Sequence, residues 1–214
     1  PDETGAVAAP PQPRRLAAPI AATAVIALAA GALTTWLSTR TALPSSPPVV
    51  RLQAVFPGQA TLSIAPIGSE VAIAPDGSRV VYVAQAAPSS LPQLFVRVMD
   101  RGETSPIPGT ELAQSPFFSP DGEMVAFVRD SNLMKVGVRG GNLALICSGC
   151  ANGFYGGAWS EDDTIVFALA GGSGGLLRVR PDGQISPVTR IDQAAGESRH
   201  GFPSILPGGA ILFM

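Results

Sequence analysis

One pattern recurs four times after residue 70 and constrains the fold of this chain more than any other feature: a small or apolar lead, a tight four-residue turn, then an apolar run. The four copies are Ala74-Pro75-Asp76-Gly77 before SRVVYVA, Ser119-Pro120-Asp121-Gly122 before EMVAFVR, Ser160-Glu161-Asp162-Asp163 before TIVFALA, and Leu206-Pro207-Gly208-Gly209 before AILFM. Their fourth positions are 45, 41 and 46 residues apart, a period that marks a β-propeller blade. The chemistry suits a hairpin at each copy. Proline presets φ, aspartate bonds its own backbone, and glycine accepts the positive φ that side chains resist. The third copy lacks both Pro and Gly and the fourth lacks Asp, so looser hairpins or another turn type are expected there.

The runs after the turns, Val80 to Ala84 and Met124 to Val128, are apolar on both faces, which suits inner strands sandwiched between neighbouring blades. Shorter runs complete each unit: Leu94 to Val98 in the first; Leu133 to Val136 and Leu143 to Ile146 in the second; Leu176 to Val179 and Pro187 to Thr189 in the third. Gly and Pro together make 45 of the 214 residues, which favours short strands over long helices. The expected fold is therefore all-β, an incomplete propeller over residues 51–214 with repeats around 63–110, 111–150, 151–195 and 196–214. Closed propellers have four to eight blades, and three to four repeats do not close a ring.

Before this domain lies LAAPIAATAVIALAAGALTTW, residues 16–36, without a charge. At about 1.5 Å per residue it matches the roughly 30 Å of a bilayer's hydrocarbon core. Residues 16–37 are thus expected to form one transmembrane helix, and the lipid bilayer to be a partner. Residues 1–15 then form a Pro/Ala-rich juxtamembrane linker and residues 38–50 a Pro/Ser-rich spacer held extended by proline. A secretory signal peptide is the competing reading of the apolar run. Arg14 and Arg15 before it, against Arg40 after it, place the propeller on the outer side of the cell membrane. The chain opens on Pro1 and closes inside the run Ala210 to Phe213, so a longer parent is expected. With only 14 Lys and Arg, scattered, and a net charge of −2, nothing forms the basic face that a nucleic-acid backbone requires.

Segments such as SPFFSPDGEMVAFVRDSNLMKV, GGAWSEDDTIVFA and SRHGFPSILPGGAILF resemble the TolB-like, WD40-like propeller repeats in the C-terminal halves of bacterial serine/threonine protein kinases. The resemblance covers residues 50–214 and extends to the order of parts. It implies the anchor and sensor or scaffold half of a receptor-like kinase, with ATP and Mg used only by a kinase domain upstream of this chain. The Gly-rich loop with its Lys, the HRD loop and the DFG motif do not occur in these residues. Two alternatives remain: the propeller portion of a peptidase-type hydrolase, and a periplasmic TolB-like translocation component.

No catalytic, cofactor-binding or metal site is expected within the chain. Asp76, Asp121, Asp162 and Asp163 repeat with the blades, as turn-forming residues do. Cys147 and Cys150 stand as CSGC, the two cysteines of the chain; they read as free thiols in a loop or as a local disulfide, and lack the further ligands of a zinc site. His200 has no neighbouring nucleophile in sequence and is read as a loop residue. The run Gly171 to Gly175 lacks the Lys-Ser/Thr of a phosphate loop and is read as a flexible hairpin, while Gly140-Gly141 and Gly156-Gly157 are turn and close-packing positions. The expected partners are a protein, peptide or cell-envelope ligand, held by the propeller's loops.

Overall fold

The computed structural model describes Gly31 and residues 61–62, 69–171 and 174–214. The chain divides into two units, Pro1–Gln53 and Ala54–Met214. The expected linker 1–15, membrane helix 16–37 and spacer 38–50 lie outside the described residues except for Gly31, which is helical. Among the described residues no helix is long and apolar enough to cross a membrane.

The second unit is built from antiparallel sheets placed side by side. The first contains β1 (Thr61–Leu62), β2 (Val71–Ile73), β3 (Arg79–Gln85), β4 (Gln93–Val98) and β5 (Thr104–Pro106), with β1 and β2 both pairing with β3. The second runs β6 (Gln114–Phe118), β7 (Met124–Arg129), β8 (Asn132–Gly137), β9 (Ala144–Cys147). The third runs β10 (Phe154–Trp159), β11 (Ile165–Leu169), β12 (Leu177–Val179), β13 (Ile185–Pro187), and β14 (Ser204–Ile205) pairs with β15 (Ile211–Leu212) in the fourth. Apart from β1, which joins β3 beside β2, each sheet is a meander in sequence order, and β2, β6, β10 and β14, the strands that open these meanders, lie next to one another. Sheets that meet along their first strands make a propeller.

The apolar runs that follow the turns are the second strands, β3, β7 and β11, hydrogen-bonded along both edges. They are inner strands between neighbouring sheets, as expected, while the strands before the turns are the ones that meet their counterparts in the next sheet. Strand periodicity explains why β3, β7 and β11 must be apolar throughout. Successive side chains point to opposite faces, and in β7 Val125 and Phe127 enter a core shared with the first sheet while Ala126 and Val128 enter a core shared with the third. A third cluster of Val166, Ala168 and Leu176, with Ile205 and Ile211 against it, joins the third sheet to the fourth.

In the first two turns Gly77 N–H donates to Ala74 O at 2.8 Å and Gly122 N–H to Ser119 O at 3.0 Å, each glycine at φ +71. The third turn, expected to be looser, has the same geometry: Asp163 N–H donates to Ser160 O at 3.1 Å, and Asp163 itself takes φ +60. Its strain is offset by a partner, since the buried Trp159 Nε1–H donates to Asp163 Oδ1 at 3.2 Å. The fourth is a different turn, with Gly208 and Gly209 both left-handed at φ +91 and +84. A further copy sits where the period does not call for one: Arg180-Pro181-Asp182-Gly183 joins β12 to β13, with Gly183 N–H donating to Arg180 O at 2.9 Å.

Candidate ligand-binding cleft

The structure disperses the turn carboxylates over three hairpins, Asp76 in the first, Asp121 in the second, and Asp162 with Asp163 in the third. Asp76, Asp121 and Asp162 each accept the N–H two residues on, from Ser78, Glu123 and Thr164. These bonds hold all three carboxyls below the usual 3.8; at Asp121 the Ser119 hydroxyl is the larger cause. Their lone pairs serve their own turns, and among the described residues no group of three or more His, Cys, Asp and Glu could hold a metal ion.

Cys147 and Cys150 are joined in a disulfide, Cα to Cα 5.9 Å, at the start of the connection from β9 to β10. The loop is tied a second time by Asn132 Oδ1, which accepts Gly149 N–H at 2.9 Å and the Ser148 hydroxyl at 3.1 Å. His200 is buried, with Nδ1 2.6 Å from Thr189 Oγ1 and Nε2 3.2 Å from Glu197 Oε2. That order of hydroxyl, imidazole and carboxylate resembles a nucleophilic triad, but the Thr189 hydroxyl also accepts Leu176 N–H at 2.8 Å and the Phe213 ring lies 4.4 Å from the imidazole. The group pins the connection from the third sheet to the fourth. Gly174 and Gly175, expected in a flexible loop, sit under this group: a Cβ on Gly175 would lie 2.2 Å from Thr189 O.

Two depressions open where the innermost strands and their connections meet. The smaller, about 210 Å³, lies among β2, β6 and β10, walled by Ser69, Ala72, Pro116, Phe117, Gly157 and Phe202. Beside it is Glu70. Both its carboxylate oxygens are closed off from solvent and neither completes a hydrogen bond. Burial raises its pKa above the usual 4.5, opposed in part by the nearby Ser115 N–H.

The larger cleft, about 490 Å³, lies between the second and third sheets. Three segments frame it: the lead into β6, the two-residue turn Asp130-Ser131 between β7 and β8, and residues 151–153 leading into β10. Hydrogen bonds fasten these segments together, from Ala151 N–H to Ser131 O at 2.9 Å and from Arg129 Nη1 to Gly109 O at 3.1 Å. Of the six non-glycine residues with left-handed backbone among those described, Leu112, Ser115, Asp130 and Ser131 line this one cleft. Consecutive positive φ at Asp130 and Ser131 is the requirement of a two-residue hairpin whose twist matches its strands. Leu112 takes φ +62 as the third residue of the turn Thr110 to Ala113, which Ala113 N–H closes on Thr110 O at 3.1 Å, and its own N–H donates to Pro92 O at 2.7 Å.

Sequence reasoning missed this cleft and Glu70. The Asp-Ser pair between two apolar runs was a legible hairpin signal, but convergence of three segments far apart in the chain is not written in any of them.

No family model matches the chain, and no curated protein matches it. Among solved structures it is similar to a TolB-type protein from Agrobacterium tumefaciens, with TM-score 0.54 and 21% identity over 67% of this chain and 52% of that one. It is also similar to a streptogramin B lyase, with TM-score 0.51 and 15% identity over 73% of this chain and 51% of that one. The chain thus spans about half the length of each. Likeness at this level of identity shows the fold, and the described unit is a β-propeller module.

Proposed function

We propose that this chain is the membrane-anchored, ligand-binding part of a receptor-like bacterial serine/threonine kinase, its propeller held outside the cell membrane as a sensor or scaffold. The larger cleft carries the binding half of this reading. Its walls belong to hydrogen-bonded sheets and cross-tied connections, so little order is lost when a ligand enters, and its lining mixes apolar and polar groups as ligand sites do. The anchored half is supported by the uncharged run at 16–36, the arginines that flank it, and the resemblance in the order of parts.

Protease added to the outer face of membranes carrying the parent protein tests the arrangement. Loss of a fragment beginning near residue 41, with an upstream domain protected, is the expected result. Release of the propeller as a soluble, processed protein would make residues 16–36 a signal peptide and end the kinase-linked reading in favour of a periplasmic component. Binding is tested separately by co-sedimenting the propeller with isolated cell envelopes, where retention is expected.

A further inference from the structure

The two sulfurs of the Cys147–Cys150 bond differ in how they can be reached. Cys147 ends β9 and is buried, whereas Cys150 is partly exposed and the residues between them, Ser148 and Gly149, are exposed. Exchange begins when a thiolate attacks one sulfur of a disulfide, so its rate follows access. A thiolate arriving from solvent meets Cys150 Sγ first.

The bond also crosslinks nothing beyond its own loop. Its ends are three residues apart, so it ties no sheet to another, and so short a ring removes little freedom from the unfolded chain. Hydrogen bonds hold the loop independently. Asn132 Oδ1 accepts Gly149 N–H at 2.9 Å and the Ser148 hydroxyl at 3.1 Å, and Ala151 N–H donates to Ser131 O at 2.9 Å. Cys150 Sγ lies 3.4 Å from Cys147 O, an acceptor for its S–H once the bond opens. Opening therefore leaves the sheets intact and the two sulfurs near enough to rejoin.

We propose that Cys147–Cys150 is a reversible thiol–disulfide exchange site whose reaction partner is a dithiol, and that its state sets the freedom of the cleft wall at residues 151–153. One thiolate of the partner bonds to Cys150 Sγ, the bond to Cys147 breaks, and Cys147 leaves as a thiolate that takes a proton from water. The partner's second thiolate then attacks its own bonded sulfur, and Cys150 leaves and is protonated. The protein gains two thiols and the partner becomes a disulfide. As thiols the sulfurs must separate from bonding distance to van der Waals contact, and that displacement falls on residues 148–150 and on Ala151, Asn152 and Gly153, which follow directly and line the cleft. The inference stands whether or not the propeller binds a ligand.

The test treats the whole folded chain with millimolar dithiothreitol at neutral pH, alkylates it with N-ethylmaleimide and weighs it. Two labels with an unchanged β-sheet circular dichroism signal are expected, and oxidised dithiothreitol should restore the unlabelled mass. Labelling that waits for denaturant, or that comes with loss of the sheet signal, overturns the proposal. In amide exchange the reduced chain should lose protection over residues 148–153 while β9 and β10 keep theirs; unchanged protection there would remove the link to the cleft. Peptide mapping of the adduct trapped with glutathione should place it on Cys150. In agreement, Cys147→Ser, which leaves Cys150 free, should react with a dithiobis(nitrobenzoate) reagent about tenfold faster than Cys150→Ser. An adduct on Cys147, or equal rates in two folded variants, overturns the assignment of the attacked sulfur.

Discussion

At the residue scale, burial and backbone geometry separate the positions that matter from those that look alike in sequence. Glu70 is half-buried with both carboxylate oxygens shut away from water, and its folded pKa lies above 4.5. A raised acid pKa means that the folded state binds the proton more tightly than the unfolded one. The stability this contributes is complete below pH 4.5 and is lost as pH rises through the folded pKa. Glu70→Gln should therefore raise the unfolding midpoint at pH 7 and give no advantage below about pH 4, read by thermal melts across that range. The turn aspartates have the opposite sign. Their lowered pKa values stabilise above the ordinary 3.8 and are lost as pH falls below it. Two glycines make a further contrast. A Cβ at Gly122 meets nothing nearer than 3.7 Å, so Gly122→Ala costs only the left-handed backbone, about 1 kcal/mol. At Gly157 the Cβ would lie 2.7 Å from Phe154 Cζ and 3.0 Å from the Phe117 ring, so Gly157→Ala must break the ring stack and cost more than about 2 kcal/mol. Equilibrium urea unfolding of the two variants would order them, and the reverse order would show that the stack yields.

At the scale of elements, the hairpins were legible because turn chemistry is local. Proline, aspartate and glycine act within four residues, so the strand boundaries around residues 75, 120 and 207 followed from the sequence. Two features escaped for physical reasons. Asp163 takes the glycine conformation because Trp159, four residues earlier, returns a hydrogen bond to it, a pairing that a turn rule does not contain. Arg180 to Gly183 carries the same Pro-Asp-Gly signal but joins outer strands, where the 41 to 46 residue period offers no guide. The disulfide is likewise an element-scale device, closing a four-residue loop from Cys147 to Cys150 directly before the connection that walls the cleft. Loop-closure entropy for so short a ring is worth about 2 kcal/mol. Replacing both cysteines by alanine should cost that much or less. Amide exchange should quicken first in residues 148–153, ahead of the strands on either side. Uniform loss of protection would mean that the disulfide holds the sheets and not the loop.

At the scale of the molecule, the blade period revealed that sheets repeat, while the cleft depends on which connections meet across sheets, and no single repeat encodes that. Coupling between sheets comes instead from the second strands. Phe127, with no exposed surface, stands on β7 beside Val81, Val83 and Leu94 in the core that the first two sheets share. The ion pair Arg79 to Glu123, 3.0 Å, crosses the same boundary at the surface, where half-exposed charges contribute little. If neighbouring sheets stabilise each other mainly through these shared cores, as stacked repeats do, damage should spread one sheet at a time. Phe127→Ala should cost about 3 to 5 kcal/mol and lower amide protection in the first sheet as well as the second. β11 and β12 should retain theirs, because they meet the second sheet through Ala126 and Val128 on the opposite face of β7, in a core that Phe127 does not enter, and pack on the fourth sheet through Val166 and Ala168. Glu123→Gln, which weakens the surface pair while leaving the core intact, should change protection little in any sheet. Equal loss of protection in all sheets for Phe127→Ala would mean that the module unfolds as one cooperative body and that the clusters are not independent layers.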